Sequence, residues 1–126
     1  DSERSRGLGD VYKRQPLGTS GQWWLWTVSD RCPDSCQQAL RKLRAAHILL
    51  NREAKRVRRG LSTGANFETP EDQPDLVRIS AGGGRMDEGI YIVDPNGNLV
   101  FSYPLDINPK LLLADLKRLL KVSQIG

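Results

Sequence analysis

Gln22-Trp23-Trp24-Leu25-Trp26-Thr27-Val28-Ser29-Asp30-Arg31-Cys32-Pro33-Asp34-Ser35-Cys36 carries a strand into the head of a helix, and its reading decides the fold. Residues 22–29 form a short, apolar, β-rich run with the length of a buried strand. The run is continuous rather than alternating, as expected of a central position in a sheet. Beyond it, Leu40, Leu43, His47, Leu50, Ala54 and Val57 recur at steps of three and four. That spacing predicts one apolar face of a long helix, with Arg41, Lys42, Arg44 and Arg52 outside it. Pro33 suits the first helical position, where its missing N–H costs nothing, and Asp34 complements the positive end of the helix dipole. Cys32 is therefore expected at the N-cap.

Cys32 and Cys36 are the only cysteines of the chain. A thiol at a helix N-terminus has its thiolate stabilised by the dipole and by unpaired backbone N–H groups, so Cys32 is expected to be the more reactive and more exposed of the two. Residues four apart on a helix lie one above the other, with Cα atoms about 6 Å apart, which is within disulfide range and lets two sulfurs converge on one soft metal ion. The spacing serves redox and metal chemistry equally. A structural disulfide is the third reading, although a bridge across one turn crosslinks little chain.

With 126 residues the chain has room for one domain with a modest core. No run approaches the ~18 consecutive apolar residues of a membrane span, and the start shows no signal-peptide pattern. The net charge of +4 is unevenly placed: residues 41–59 hold eight basic side chains against Glu53, giving +7, whereas residues 60–126 hold six basic and nine acidic, giving −3. The aromatics that would stack on bases cluster elsewhere, at Trp23, Trp24 and Trp26, so no nucleic-acid partner is expected. The basic stretch reads as a solvated helix face turned toward an acidic partner or anionic lipid.

Residues 1–15 lack hydrophobic periodicity, and Gly9-Asp10-Val11-Tyr12-Lys13-Arg14-Gln15 resembles translated adapter read-through. They read as a non-native or disordered leader to a domain over 16–126, with the natural N-terminus, and any membrane anchor or first strand pair in it, missing. Pro16 to Gly21 reads as a connector. Arg56 to Leu61 is either a second strand with Val57 and Leu61 inward, or a helix continuing to Arg59 and stopping at Gly60. Ser62 to Gln73 is a loop or short helical turn, and Asp75 to Ser80 a brief strand. Gly82-Gly83-Gly84 lacks the spacing of a phosphate loop and reads as flexible backbone. Gly89 to Val93 and Asn98 to Tyr103 are strands joined by the turn Asp94-Pro95-Asn96-Gly97. Asn108-Pro109 caps a final helix with Leu112, Leu113, Leu116, Leu119 and Leu120 on its buried face. Leu40, Leu43, Leu50, Leu112, Leu116 and Leu119 are expected to pack on a sheet containing Trp24, Ile90 and Ile92.

This order of strand, cysteine-headed helix, strand, hairpin and terminal helix resembles the α/β thioredoxin-like fold, a central mixed β-sheet flanked by helices. More narrowly, the chain resembles the Sco/SenC copper chaperones of cytochrome c oxidase assembly. Three features carry the resemblance: a CxxxC pair, a tryptophan-rich strand before it, and Gly89-Ile90-Tyr91-Ile92-Val93-Asp94-Pro95-Asn96-Gly97-Asn98-Leu99-Val100, which is similar to the family's hairpin. It covers residue 22 to about residue 122.

The resemblance implies a periplasmic protein, tethered to the inner membrane, that binds Cu(I) through its cysteines and serves a cytochrome c oxidase subunit or another thiol protein. In the family a histidine shortly before the hairpin strand completes the copper site, and the matching position here is Met86. Its thioether is a soft donor that suits Cu(I), so Cys32, Cys36 and Met86 form the candidate metal site. Asp87 and Glu88 are hard-oxygen alternatives that suit Cu(I) poorly. His47, the only histidine, lies eleven residues past Cys36, about 16 Å along a helix, and is expected to be partly buried and structural. Gln37 stands where the family has a proline, and no proline precedes Gly89 where thioredoxin-type oxidoreductases carry one. Two further readings stay open: an enzyme, a thiol-disulfide oxidoreductase in which Cys32 attacks and Cys36 resolves, and a silent interaction domain with a structural disulfide.

Overall fold

The computed structural model describes residues 21–64, 70–79 and 87–122. The expectations for the leader over 1–15, the connector to residue 20, Gly82-Gly83-Gly84 and Met86 lie outside the described residues. In chain order the elements are β1 (Trp23–Val28), α1 (Asp34–Ile48), a 3-10 turn (Asn51–Arg56), β2 (Val57–Ser62), β3 (Leu76–Arg78), β4 (Gly89–Val93), β5 (Leu99–Tyr103) and α2 (Pro109–Val122).

The strands form one five-stranded sheet in the order β3-β2-β1-β4-β5. β2 pairs with β1 and with β3 in parallel, whereas β4 pairs antiparallel with both β1 and β5. The sheet is therefore mixed, and β1 is its centre with every residue buried, as its continuous apolar run predicts. The hairpin turn is built as its residues suggest. Asp94 Oδ1 accepts from the Asn96 and Asn98 N–H groups at 2.9 and 2.8 Å, and Gly97 takes φ 88°.

Strand residues alternate between two layers. Trp23, Leu25, Val57, Leu61, Ile90 and Ile92 share one layer with Leu40, Leu43, Leu50, Leu112, Leu116 and Leu120. Trp24, Trp26, Val28, Tyr91, Val93 and Leu99 form the other. Trp24 is thus not in the helix-covered layer expected of it, because β1 puts odd-numbered side chains under the helices and even-numbered ones on the far face. Leu119 is only half-buried, since the α2 stripe runs through 112, 116 and 120 in steps of four.

The long helix is also shorter than its apolar spacing predicts. α1 ends at Ile48, a separate 3-10 turn follows, and Val57 opens β2. Val57, Arg58 and Arg59 give their backbone groups to the ladder with Trp23, Trp24 and Leu25, a tertiary competitor that helical periodicity cannot register. His47 holds this corner. Its Nε2 lies 2.8 Å from both Ala54 O and Val57 O, and because carbonyls only accept, the ring proton resides on Nε2. The partly buried, structural histidine is as expected. At α2 the expected cap is present, with Asn108 Oδ1 accepting the Lys110 N–H at 2.9 Å and Pro109 in the first helical position.

Candidate functional site

At the head of α1 the sulfurs of Cys32 and Cys36 are joined, with Cα atoms 4.8 Å apart. The bonding distance expected of the pair is met, but the local geometry differs from the expectation. Pro33 is the N-cap, not Cys32, and its carbonyl accepts the first helical bond, from Gln37 N–H at 3.0 Å. Cys32 precedes the helix with φ 44°, in the left-handed region that costs an L-residue about 1 kcal/mol or more. That conformation turns its side chain back over the first turn toward Cys36. The consequence is burial. Cys32 is 2% exposed and Cys36 0%, and both belong to the helix-side core, so the exposed, nucleophilic Cys32 of the sequence reading is not found in the oxidised state.

Three connections converge to hold the cysteine loop. The Cys32 N–H donates to Ser29 Oγ at 3.1 Å, and the Ser29 hydroxyl donates to Glu88 Oε2 at 2.7 Å. From the exit of β2, Thr63 Oγ1 and the Gly64 N–H both donate to Asp30 O at 2.9 Å. On the helix side Gln37 Nε2 donates to Cys32 O at 3.4 Å. Ser29 is 1% exposed, so its hydroxyl satisfies a buried N–H that would otherwise be unpaired.

Neither Ser29 nor the positioning contact of Glu88 is evident in the sequence reading. The signal lies in strand register: β1 and β4 pair Val28 with Gly89, and one step further sets Ser29 against Glu88. Next to Glu88, Asp87 gives its backbone carbonyl to the Tyr91 hydroxyl at 2.6 Å. Burial, with the Asp87 charge added, holds that hydroxyl above its ordinary value of 10.0, so it remains a protonated donor.

For a soft metal, the described residues supply two sulfurs on one turn. Asp87 and Glu88 flank the loop as exposed carboxylates, and His47 is tied down at the opposite end of α1. No group of three or more His, Cys, Asp or Glu among the described residues is arranged to hold a metal ion. Opened by reduction, the cysteine pair fits Cu(I) in donor type, since thiolates are soft ligands.

The fold is that of solved Sco structures. Arabidopsis thaliana ScoI with copper bound superposes with a TM-score of 0.63 at 15% identity, covering 83% of this chain and 88% of that one. Bradyrhizobium japonicum ScoI with copper bound gives 0.57 at 20% identity, covering 79% and 86%. BsSco, a member of the Sco family of cytochrome c oxidase assembly proteins in which a disulfide switch was identified, gives 0.55 at 13%, covering 83% and 84%. No curated protein matches the sequence. Residues 23–123 match the family model described as transmembrane-like, thioredoxin-like, C-terminal domain, and the chain belongs to that family.

Proposed function

We propose that this protein is a copper-handling thiol-redox module that assists cytochrome c oxidase assembly from the periplasmic side of the inner membrane. The observation that carries the reading is the closed Cys32–Cys36 bridge at the head of α1. Two copper-bound Sco proteins share its fold. Copper is the cargo, and the oxidised protein is its empty form. A dithiol reductant supplies two electrons and two protons, the S–S bond breaks, and Cys32 and Cys36 become thiols as the reductant becomes a disulfide. Loss of the two thiol protons then leaves a pair of soft thiolates for one Cu(I), with Met86 as the third, neutral donor.

Burial of both sulfurs gives the site a gate. With the bridge 2% and 0% exposed, neither a reductant nor a metal reaches it until the loop over residues 29–35 moves. Cys32 is the sulfur that such a movement frees, since Cys36 is anchored inside α1. The placement outside the cytosol is supported by the disulfide, which persists in oxidising compartments. It is supported also by the family's description as transmembrane-like. Among the described residues no helix is long and apolar enough to cross a membrane.

The test is Cu(I) titration of the protein before and after reduction, with a competing chromophoric chelator as readout. The reduced protein is expected to take up one equivalent, and the oxidised protein and Cys32→Ser none. No uptake by the reduced protein, together with measurable disulfide exchange against a partner dithiol, would assign the site to oxidoreductase chemistry instead.

A further inference from the structure

Both helices end at the pole of the molecule opposite the cysteines. The C-terminal cap of α1 at Leu49 is 13 residues past Cys36, so it lies about 20 Å along the helix from the disulfide. The last turn of α2 meets it there, where the Arg56 guanidinium donates to Leu120 O at 2.9 Å and to Glu53 Oε1 at 2.8 Å. Between the helix ends runs a groove of about 580 Å³, walled by Leu49, Leu50 and Leu120 and rimmed by Arg52, Lys117 and Lys121. Glu53 is its only carboxylate, and Arg56 already neutralises it. Among the described residues no carboxylate pairs with the three rim cations.

A lysine in the last turn of a helix complements the negative end of its dipole, which accounts for Lys121 by itself but not for Lys117, one turn earlier. It does not account for their apolar neighbours. Ile48 and Leu49 are each 56% exposed and Val122 72%, so aliphatic side chains stand in solvent beside cations that no described carboxylate pairs with. Cations around protruding aliphatics are the complement of an anionic bilayer surface, which offers phosphates at one depth and acyl chains just below. The chain also enters the domain at this pole: the Gln22 side-chain amide donates to Lys55 O at 3.0 Å, setting the start of β1 beside the 3-10 turn that lines the groove.

We propose that this pole docks on an anionic phospholipid bilayer, with a headgroup phosphate between Arg52, Lys117 and Lys121 and with Ile48, Leu49 and Val122 in the interface. Docked in this way, the molecule holds the cysteine loop about 20 Å off the membrane, presented to a partner's extramembranous domain. The docking surface is separate from the copper site, and each stands or falls without the other.

The experiment is sedimentation of the whole chain with vesicles of phosphatidylcholine alone or mixed with phosphatidylglycerol, at physiological salt. Each cation near such a surface strengthens association about fivefold, so R52Q/K117Q/K121Q should weaken binding to the mixed vesicles by about a hundredfold. R41Q/K42Q/K110Q removes the same charge elsewhere and should weaken it by less than about fivefold. K117Q/K121Q against R41Q/K42Q repeats the comparison with milder changes. I48S/L49S should abolish the part of the binding that survives raised salt. Equal weakening by groove and control variants would overturn the proposal, since net charge alone would then suffice. So would absence of binding by the wild type, or full displacement by soluble polyglutamate with I48S/L49S unaffected, which would mark an acidic protein surface as the partner.

Discussion

Ser29 donates its hydroxyl to Glu88 Oε2 at 2.7 Å across 59 residues of chain, and so ties the loop that bears Cys32 to the lead-in of β4. The same Ser29 oxygen accepts the Cys32 N–H, so one side chain links the cysteine backbone to a carboxylate just ahead of the neighbouring strand β4. Ser29→Ala leaves that N–H buried without an acceptor and is expected to destabilise the oxidised protein by about 1 to 3 kcal/mol. Glu88→Gln retains a carbonyl acceptor and should cost less. Urea unfolding of the three proteins checks the order, and a Ser29→Ala midpoint equal to wild type would show that the hydroxyl does not hold the loop.

Leu116 is fully buried beneath the sheet, in the middle of the α2 stripe. Leu116→Ala removes its packing from between the helices and the strands and is expected to cost about 2 to 5 kcal/mol. The check is a chemical-denaturation curve at neutral pH; a loss well under 1 kcal/mol would mean that the surrounding leucines collapse into the space.

Arg59 is buried in β2 and reaches Gln73 Oε1 and, at 2.7 Å, Asp75 Oδ1. Burial alone would raise the Asp75 pKa, but the hydrogen bond and charge of Arg59 outweigh it and hold the carboxyl below its ordinary value of 3.8. A depressed folded-state pKa contributes stability that is present above 3.8 and is lost as pH falls through the lower, folded value. The stability difference between wild type and Asp75→Asn is therefore expected to be constant near neutrality and to shrink in acid below that point. It should be small, because the Asp75 side chain is 58% exposed and solvent screens the pair. Urea midpoints of both proteins across the acid range measure it, and a gap that widened in acid would reverse the sign.

Met86→Leu keeps size and apolarity but removes the thioether. If Met86 is the third copper donor, the reduced variant should retain Cu(I) less tightly, while its disulfide and melting temperature match wild type. Chelator competition reads the affinity, and an unchanged value would reduce the site to the two thiolates.

Much of the architecture is written in local chemistry. Asp94 to Gly97 makes its turn because an Asp carboxylate reaches the amides two and four residues on and Gly97 accepts a positive φ. Asn108 and Pro109 start α2 for equally local reasons, and a cysteine pair four apart across the helix head is close in any fold that keeps that helix. Even the centrality of β1 follows from its own unbroken apolar run.

What residues 22–36 do not contain is anything about their neighbours. Whether Trp23 or Trp24 faces the helices is a question of parity, and parity is set when β1 pairs with Val57 on one side and Val93 on the other. α1 stops at Ile48 because the following segment gains a ladder with β1, although its apolar residues continue the helical spacing. Cys32 leaves the helix and is buried because the Ser29 to Glu88 contact and the β2 exit hold its loop. Short-range order follows from side chains a few residues apart, and the sequence by itself determined it. Register, burial and the support of the cysteine loop come from contacts between residues dozens of positions apart, so only the tertiary structure could decide them.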